Sequence, residues 1–182
     1  YVVHPLPILE FSSSGHLDVL GIFVLLLGIF LYTTKKKHMG GFFVVMGGGI
    51  KILPFAFLPW FGFLGTVIGF LVLLILGFPM WETTALEGLQ TYVQHWSFNG
   101  SFYPLLHVIF PYSSRLILLL IWVLLIGFLY FKTTKNKSIE QIALLILGVW
   151  FLCSPTAHPW YAMWFFPFAI LCASTPWFLL CS

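Results

Sequence analysis

Two short basic runs constrain this 182-residue chain more than any other feature. Six of its eight Lys and Arg residues lie at positions 35–37 and 132–137, and almost everything between these runs is apolar. In membrane proteins, positive residues in short loops stay on the cytoplasmic side, and a helix needs about 20 mostly apolar residues to cross the hydrocarbon. If both runs are cytoplasmic, they fix on which side of the membrane each remaining polar residue lies.

The composition is typical of a chain that lies in lipid. Hydrophobic residues make up 60% of the chain, charged residues 7%, and the mean hydropathy is +1.03. Soluble domains carry about 25% charged residues. The net charge of +3 leaves no basic face once the two runs are used as anchors, which excludes nucleic acid as a partner. We therefore predict an all-α integral membrane protein, with one membrane domain that lies in the plasma (inner) membrane and contacts membrane lipid.

The apolar runs predict a multi-pass helical bundle. The chain must cross the membrane an odd number of times between Lys37, inside, and Arg115, outside. We expect a broken helix or hairpin near Lys51 and Pro54, because proline removes a backbone donor. An external segment is predicted over 80–114. The predicted spans cover about 16–32, 39–51, 52–60, 63–78, 116–131, 139–153 and 160–179.

The external segment contains the pattern of a helix that lies at the membrane surface. Thr84 and Glu87 have the spacing of a capping box, and the apolar residues that follow recur at helical spacing up to Trp96. We predict an external interfacial helix here, with its aromatic rings at the level of the lipid headgroups.

Most of the unusual polar residues fall at external helix ends in this topology. Ionisable groups near the apolar layer are costly and mark a site or a water-filled cavity by default. Each also has a structural interpretation: Asp18 suits a helix N-terminus, Lys51 could extend to the headgroups, and Arg115 could be an interfacial anchor. His16 and Asp18 alone fall short of a metal site, so no metal ligands are predicted.

Three stretches together resemble the C-type superfamily of multi-pass glycosyltransferases, and especially its bacterial mannosyltransferase-like members. They are residues 4–18, with Glu10, His16 and Asp18; residues 51–59, which begin with Lys51; and residues 154–161, which contain His158. The resemblance implies transfer of a hexose, with mannose the first candidate, from a polyprenyl-phosphate donor. The acceptor would be a hydroxyl of a glycan or glycolipid on the external, periplasmic face of the cell envelope.

The resemblance also implies roles for individual residues. Asp18 and Glu10 are the available catalytic acids, and the expected substrate-binding residues are His16, Lys51, Arg115, His158, Trp160 and Tyr161. Family members place an essential acid in their first external loop. Because the chain opens on Tyr1, we expect a fragment whose principal acid lies upstream. No cofactor is predicted for this chain, and a divalent metal stays open for the full-length protein.

Two alternatives stay open at the level of sequence. A transporter or lipid flippase, with a polar cavity open to the external side, would also use broken helices and buried charges, although such proteins tend to contain internal repeats. A membrane scaffold subunit without chemistry would leave Lys51, beside the Pro54 break, unexplained.

Overall fold

The computed structural model of the chain describes residues 16–77, 90–91, 96–98, 102–133 and 137–180. Throughout these ranges the regular structure is helical and no strand occurs, which confirms the all-helical prediction. Glu10 and most of the predicted interfacial helix lie outside the described residues.

The first two helices form an antiparallel hairpin. Helix α1 covers Asp18–Thr33 and α2 covers Lys37–Ile50. The two backbones approach closely where Gly28 faces Gly40, and a Cβ on Gly40 would lie 2.8 Å from the Gly28 carbonyl oxygen. Small residues permit this approach. The hairpin defines two ends of the bundle: an Asp18 end, which also holds Lys51, and a Lys37 end.

The helical path breaks after α2, at the position predicted from the sequence. Lys51 has an extended backbone, and a 3₁₀ helix then covers Leu53–Trp60. Pro54 at its start and Pro59 within it lack the N–H groups that a regular α-helix would use. This first 3₁₀ helix returns the chain to the Lys37 end, where the Gly62 N–H donates to the Lys37 carbonyl at 3.1 Å.

Helix α3 covers Phe63–Gly77 and runs parallel to α2. Glycines make its closest contacts with α2, since Gly65 lies against the backbone of His38 and Gly69 lies against Val45. These two glycines are the buried residues of α3, and most of its large apolar side chains point away from the protein. The helix is therefore held by close backbone packing on one face and exposes an apolar surface on the other.

The second half of the chain adds α4 (Phe102–Ile109), α5 (Ser114–Thr133) and α6 (Ile139–Cys153). Helix α4 lies inside the predicted external segment and was not anticipated. Helices α5 and α6 are antiparallel, and the Trp122 indole of α5 donates to the Ile146 carbonyl of α6 at 2.9 Å. A capping box between Ser138 and Gln141 starts α6.

The C-terminal part differs from the single bent span predicted over 160–179. A second 3₁₀ helix covers Pro159–Trp164, followed by α7 (Phe166–Leu171) and α8 (Thr175–Leu179). Proline stands at the start of each, where the missing N–H costs least. Between α7 and α8 the chain turns at Ala173, which has a φ of 49°. The prolines thus begin new helices rather than bend one.

The core and the exposed surface divide the bundle clearly. The fully buried side chains come mainly from α1, α6, α7 and both 3₁₀ helices, with Trp164, Phe57, Phe165 and Phe168 among the largest. Helix α5 contrasts with them, because only 17% of its stretch Ser114–Lys132 is buried. At about 1.5 Å per residue, those 19 residues extend roughly 28 Å. Among the described helices, α5 alone is both long and apolar enough to cross a membrane.

The close approach of α3 to α2 generates a stability prediction. A Cβ on Gly65 would overlap the His38 carbonyl oxygen, so Gly65→Ala must displace one backbone from the other. We expect this substitution to lower the free energy of unfolding by about 1–3 kcal/mol, the usual cost of overpacking. The midpoint of thermal unfolding of the purified protein measures the change.

Gly127→Ala is the matched control, because a Cβ on this glycine of α5 meets nothing within 4 Å. It should leave stability unchanged or raise it by about 0.5–1 kcal/mol, since alanine is the better helix former. Equal midpoints for the two variants would contradict the packing described for α3.

Candidate functional site

An ion pair at the Asp18 end is the centre of the candidate site. The Lys51 ammonium lies 2.5 Å from Oδ1 of Asp18, and the Trp164 indole N–H donates to the same oxygen at 2.6 Å. Asp18 is 8% exposed and Trp164 is fully buried. Burial of a carboxylate is tolerated when a cation and further donors satisfy it, as they do here. The other carboxylate oxygen, Oδ2, makes no hydrogen bond to a described residue.

The second 3₁₀ helix presents two aromatic residues to this pair. The Lys51 ammonium lies 3.5 Å from the ring centroid of Tyr161, a cation–π contact. Tyr161 and Trp164 are three residues apart, and a 3₁₀ helix places such residues on one face. Sequence reasoning proposed Tyr161 and missed Trp164. The sequence signal for Trp164 was its position three residues after Tyr161. That spacing becomes informative only once the helix that begins at Pro159 is known to be 3₁₀.

A column of stacked rings lies beside the ion pair. The His16 and His158 rings both stack on Trp160, with centroid distances of 4.4 and 4.2 Å. Phe98 continues the column, 4.7 Å from the His158 ring. The backbone N–H of Phe98 also donates to the Pro155 carbonyl at 2.8 Å, which ties this segment to the turn before His158. Two histidines 142 positions apart therefore meet through one tryptophan.

Arg115 lies apart from the ion pair, at the rim of an apolar groove. Its guanidinium donates to the Trp96 carbonyl at 3.0 Å and lies 5.4 Å from the Tyr103 ring centroid. The groove has a volume of about 380 Å³. Its walls come from the first 3₁₀ helix, α5 and the end of α6, and they are mainly apolar, with Arg115 and Ser154 as the polar exceptions.

The predicted site residues thus form two neighbouring groups. Asp18, Lys51 and Tyr161 meet directly, and His16, His158 and Trp160 form the stack. Arg115 belongs to the groove, which shares the segment from Ser154 to Pro155 with the turn that leads to His158. The described residues contain no group of three His, Cys, Asp or Glu side chains that could hold a metal ion.

The ion pair generates a prediction about folding that is independent of any activity. Lys51→Met keeps an unbranched side chain one atom shorter than lysine and leaves the Asp18 carboxylate buried without its cation. We expect it to lower the free energy of unfolding by about 3 kcal/mol, because breaking a buried pair leaves an uncompensated charge. Thermal unfolding in a mild detergent measures this loss.

The double variant Asp18→Asn with Lys51→Met provides the control for this interpretation. It removes both charges, and its loss should be smaller than the sum of the two single losses by about 0.5–3 kcal/mol. Lys36→Met, at an exposed lysine of the opposite end, should change nothing. Additive losses would mean that Lys51 and Asp18 stabilise the fold independently.

Comparison with known proteins finds no match to this chain among protein-family models, curated protein sequences or solved structures.

Proposed function

We propose that this chain functions as a multi-pass membrane glycosyltransferase that moves a hexose from a polyprenyl-phosphate donor to a hydroxyl of a glycan or glycolipid. Mannose is the first candidate for the sugar. The observation on which the proposal depends most is the juxtaposition, at one end of the bundle, of the Asp18–Lys51 pair and an apolar groove with Arg115 at its rim.

A membrane setting is supported by the outer surface of the bundle. Helices α3 and α5 expose most of their large apolar side chains, and exposed apolar surfaces of this size contact lipid or another protein. Lys37 and Lys132 lie at the same end, where Phe131 and Lys37 line one cavity. By the positive-inside rule this end is cytoplasmic. The Asp18 end is then external, with α1, α2, α3, α5 and α6 all oriented between the two interfaces.

The chemistry of sugar transfer needs cations at the leaving phosphate and a base at the acceptor hydroxyl. Positive groups aimed at charge that develops in the transition state supply a large part of catalysis. The Lys51 ammonium has three N–H donors and uses one on Asp18, so it can hold Asp18 and a phosphate oxygen together. In this proposal Lys51 and His158 contact the phosphate, while Arg115 binds the donor at the rim of the groove.

In this proposal Asp18 has a narrower role than that of the catalytic acid implied by the resemblance. Because Oδ1 of Asp18 already accepts hydrogen bonds from Lys51 and Trp164, a proton from an acceptor hydroxyl would go to Oδ2 or to another carboxylate. Asp18 is therefore proposed chiefly as the group that positions Lys51. Glu10 is the candidate general base.

The groove supplies the apolar half of the donor site. Its volume of about 380 Å³ suits a short stretch of polyprenyl chain rather than a whole lipid, so the remainder of the chain would extend into the bilayer. Trp160 and Tyr161 both make side-chain contacts inside the site, with the histidines and with Lys51. Their proposed contribution is to hold these side chains in place beside the sugar.

Lys51 is the residue whose replacement tests this function most directly. We expect Lys51→Met, in the full-length protein in membranes, to lower the rate of hexose transfer from radiolabelled polyprenyl-phosphate mannose about 100-fold or more, the usual cost of removing one transition-state donor. Lys51→Arg keeps a cation at the Asp18 carboxylate and should retain part of the rate. The measurement is the amount of labelled acceptor formed per unit of folded protein.

A second variant tests the histidine stack. His158→Phe keeps a ring to stack on Trp160 and removes the nitrogen atoms, so transfer should fall about 10-fold or more while stability is kept. Lys36→Gln, at the opposite end, is the matched control and should transfer at the wild-type rate. Wild-type rates for both Lys51→Met and His158→Phe would remove them from the site. Movement of the intact donor between leaflets, with no sugar transferred, would favour a transporter instead.

A further inference from the structure

A polar cavity, separate from the apolar groove, lies at the Lys37 end of the bundle, opposite the Asp18–Lys51 pair. Its volume is about 680 Å³, and its walls include Tyr32, Lys37, Trp60 and Tyr130. The first 3₁₀ helix ends there at Trp60, and α5 passes it near its own C-terminus. The proposed sugar transfer leaves this cavity without a role.

Trp60 carries an indole N–H that no described residue satisfies. The side chain is 6% exposed, and Nε1 is the one buried side-chain nitrogen or oxygen without a hydrogen-bond partner in the described part of the chain. A buried donor without a partner costs folding free energy, and nearly all such groups in proteins are paired. Trp60 lines the cavity with its ring while Nε1 itself is buried, so a molecule bound there would supply the missing acceptor once the ring turns this N–H toward it.

The charges around the cavity indicate that this acceptor is an anion. Lys37 lines it, with its ammonium 5.2 Å from the Tyr32 ring centroid. Helix α2 begins at the same residue, and its first turn contains neither an acidic residue nor a side-chain cap. The N-terminal amides of a 14-residue helix attract negative charge. Among the described residues, those that form the cavity wall include no acidic side chain.

The backbone next to Lys37 contains a lysine in a conformation that glycine usually occupies. Lys35 has a φ of 65°, in the left-handed region, where the chain leaves α1. The N–H groups of Lys35 and Lys36 donate to the Tyr32 and Leu31 carbonyls in a helix-ending motif whose usual residue is glycine. Strain at a non-glycine residue tends to occur at functional positions. Here it places a lysine where glycine would be easier to accommodate.

We propose that the cavity binds the phosphate of an anionic phospholipid headgroup, with the Trp60 indole donating to a phosphate oxygen and Lys37 supplying the cation. The proposal uses the membrane orientation given above and is independent of sugar transfer. A lipid fits better than a soluble anion because Phe131, at the cavity wall, is 81% exposed and continues into the apolar outer surface of α5. Acyl chains can lie along that surface while the headgroup enters the cavity.

The experiment follows the indole N–H of Trp60 in the whole chain, labelled with ¹⁵N-tryptophan in a neutral detergent. Trp60→Phe identifies its signal among those of the eight tryptophans. Dioctanoyl phosphatidylglycerol, dioctanoyl phosphatidylcholine and inorganic phosphate are titrated separately. We expect phosphatidylglycerol to shift the Trp60 signal downfield with saturation, and Lys37→Gln to raise the dissociation constant about 10-fold or more, the usual effect of a lost charged hydrogen bond.

Lys137→Gln is the matched control, because it removes the same charge from the same end of the bundle outside the cavity, and it should change the dissociation constant less than about twofold. Saturation by inorganic phosphate at the same concentrations would support the anion site and overturn the lipid as its source. Equal shifts with phosphatidylcholine, equal weakening by Lys37→Gln and Lys137→Gln, or no shift at Trp60 would overturn the proposal. None of these readouts depends on transfer activity, so the two proposals fail separately.

Discussion

One carboxylate oxygen holds three distant parts of the chain together. Oδ1 of Asp18 accepts from Lys51, 33 positions away, and from Trp164, 146 positions away. The start of α1, the break after α2 and the second 3₁₀ helix therefore meet at a single buried charge. Removing one partner from such an arrangement costs more than forming the pair contributes, because the remaining charge stays away from water. The geometry of His16, His158 and Trp160 depends on this junction, since their segments adjoin it.

The break at Lys51 is also the feature that gives the bundle its groove. A continuous helix after Ile50 would extend α2 beyond the bundle, whereas the first 3₁₀ helix returns alongside α2 and forms one wall of the space next to α5. Pro54 stands at its start, where an N–H would have no partner within the helix, and Pro59 removes one donor from its interior, which opposes continuation as an α-helix. Its far end also places Trp60 at the Lys37 end. One irregular segment thus contributes to both cavities.

Much of the fold could be predicted from sequence because long apolar runs leave few alternatives to helix. The helices from α1 to α3, α5 and α6 begin and end within about three residues of the predicted spans. Helix α4 has eight residues, too few for periodicity to stand out. The stretch 160–179 differed because prolines at 167 and 176 could bend one helix or begin others, and local sequence does not decide between these outcomes.

The candidate site was also predictable in part: the sequence identified most of its residues but not how they pair. Lys51, Asp18 and His158 stood out because charged and imidazole groups are rare in an apolar chain. Their pairing could not be derived, since it depends on how α1, α2 and the C-terminal segment pack. Trp164 was missed for a related reason: in a chain with eight tryptophans, an indole becomes notable only when its N–H is seen to reach a carboxylate. Glu10 lies outside the described residues and stays a prediction.

Helix α5 is mostly unburied, and this affects how the proposed polyprenyl-phosphate donor would reach the groove. The helix forms one side of the groove, yet most of its residues are not buried, and the Trp122 indole joins its middle to the Ile146 carbonyl of α6. A small outward tilt of α5 would widen the groove without disturbing the glycine contacts among α1, α2 and α3. Under the proposed function, the polyprenyl chain of the donor would then enter the groove sideways from the hydrocarbon without passing through water.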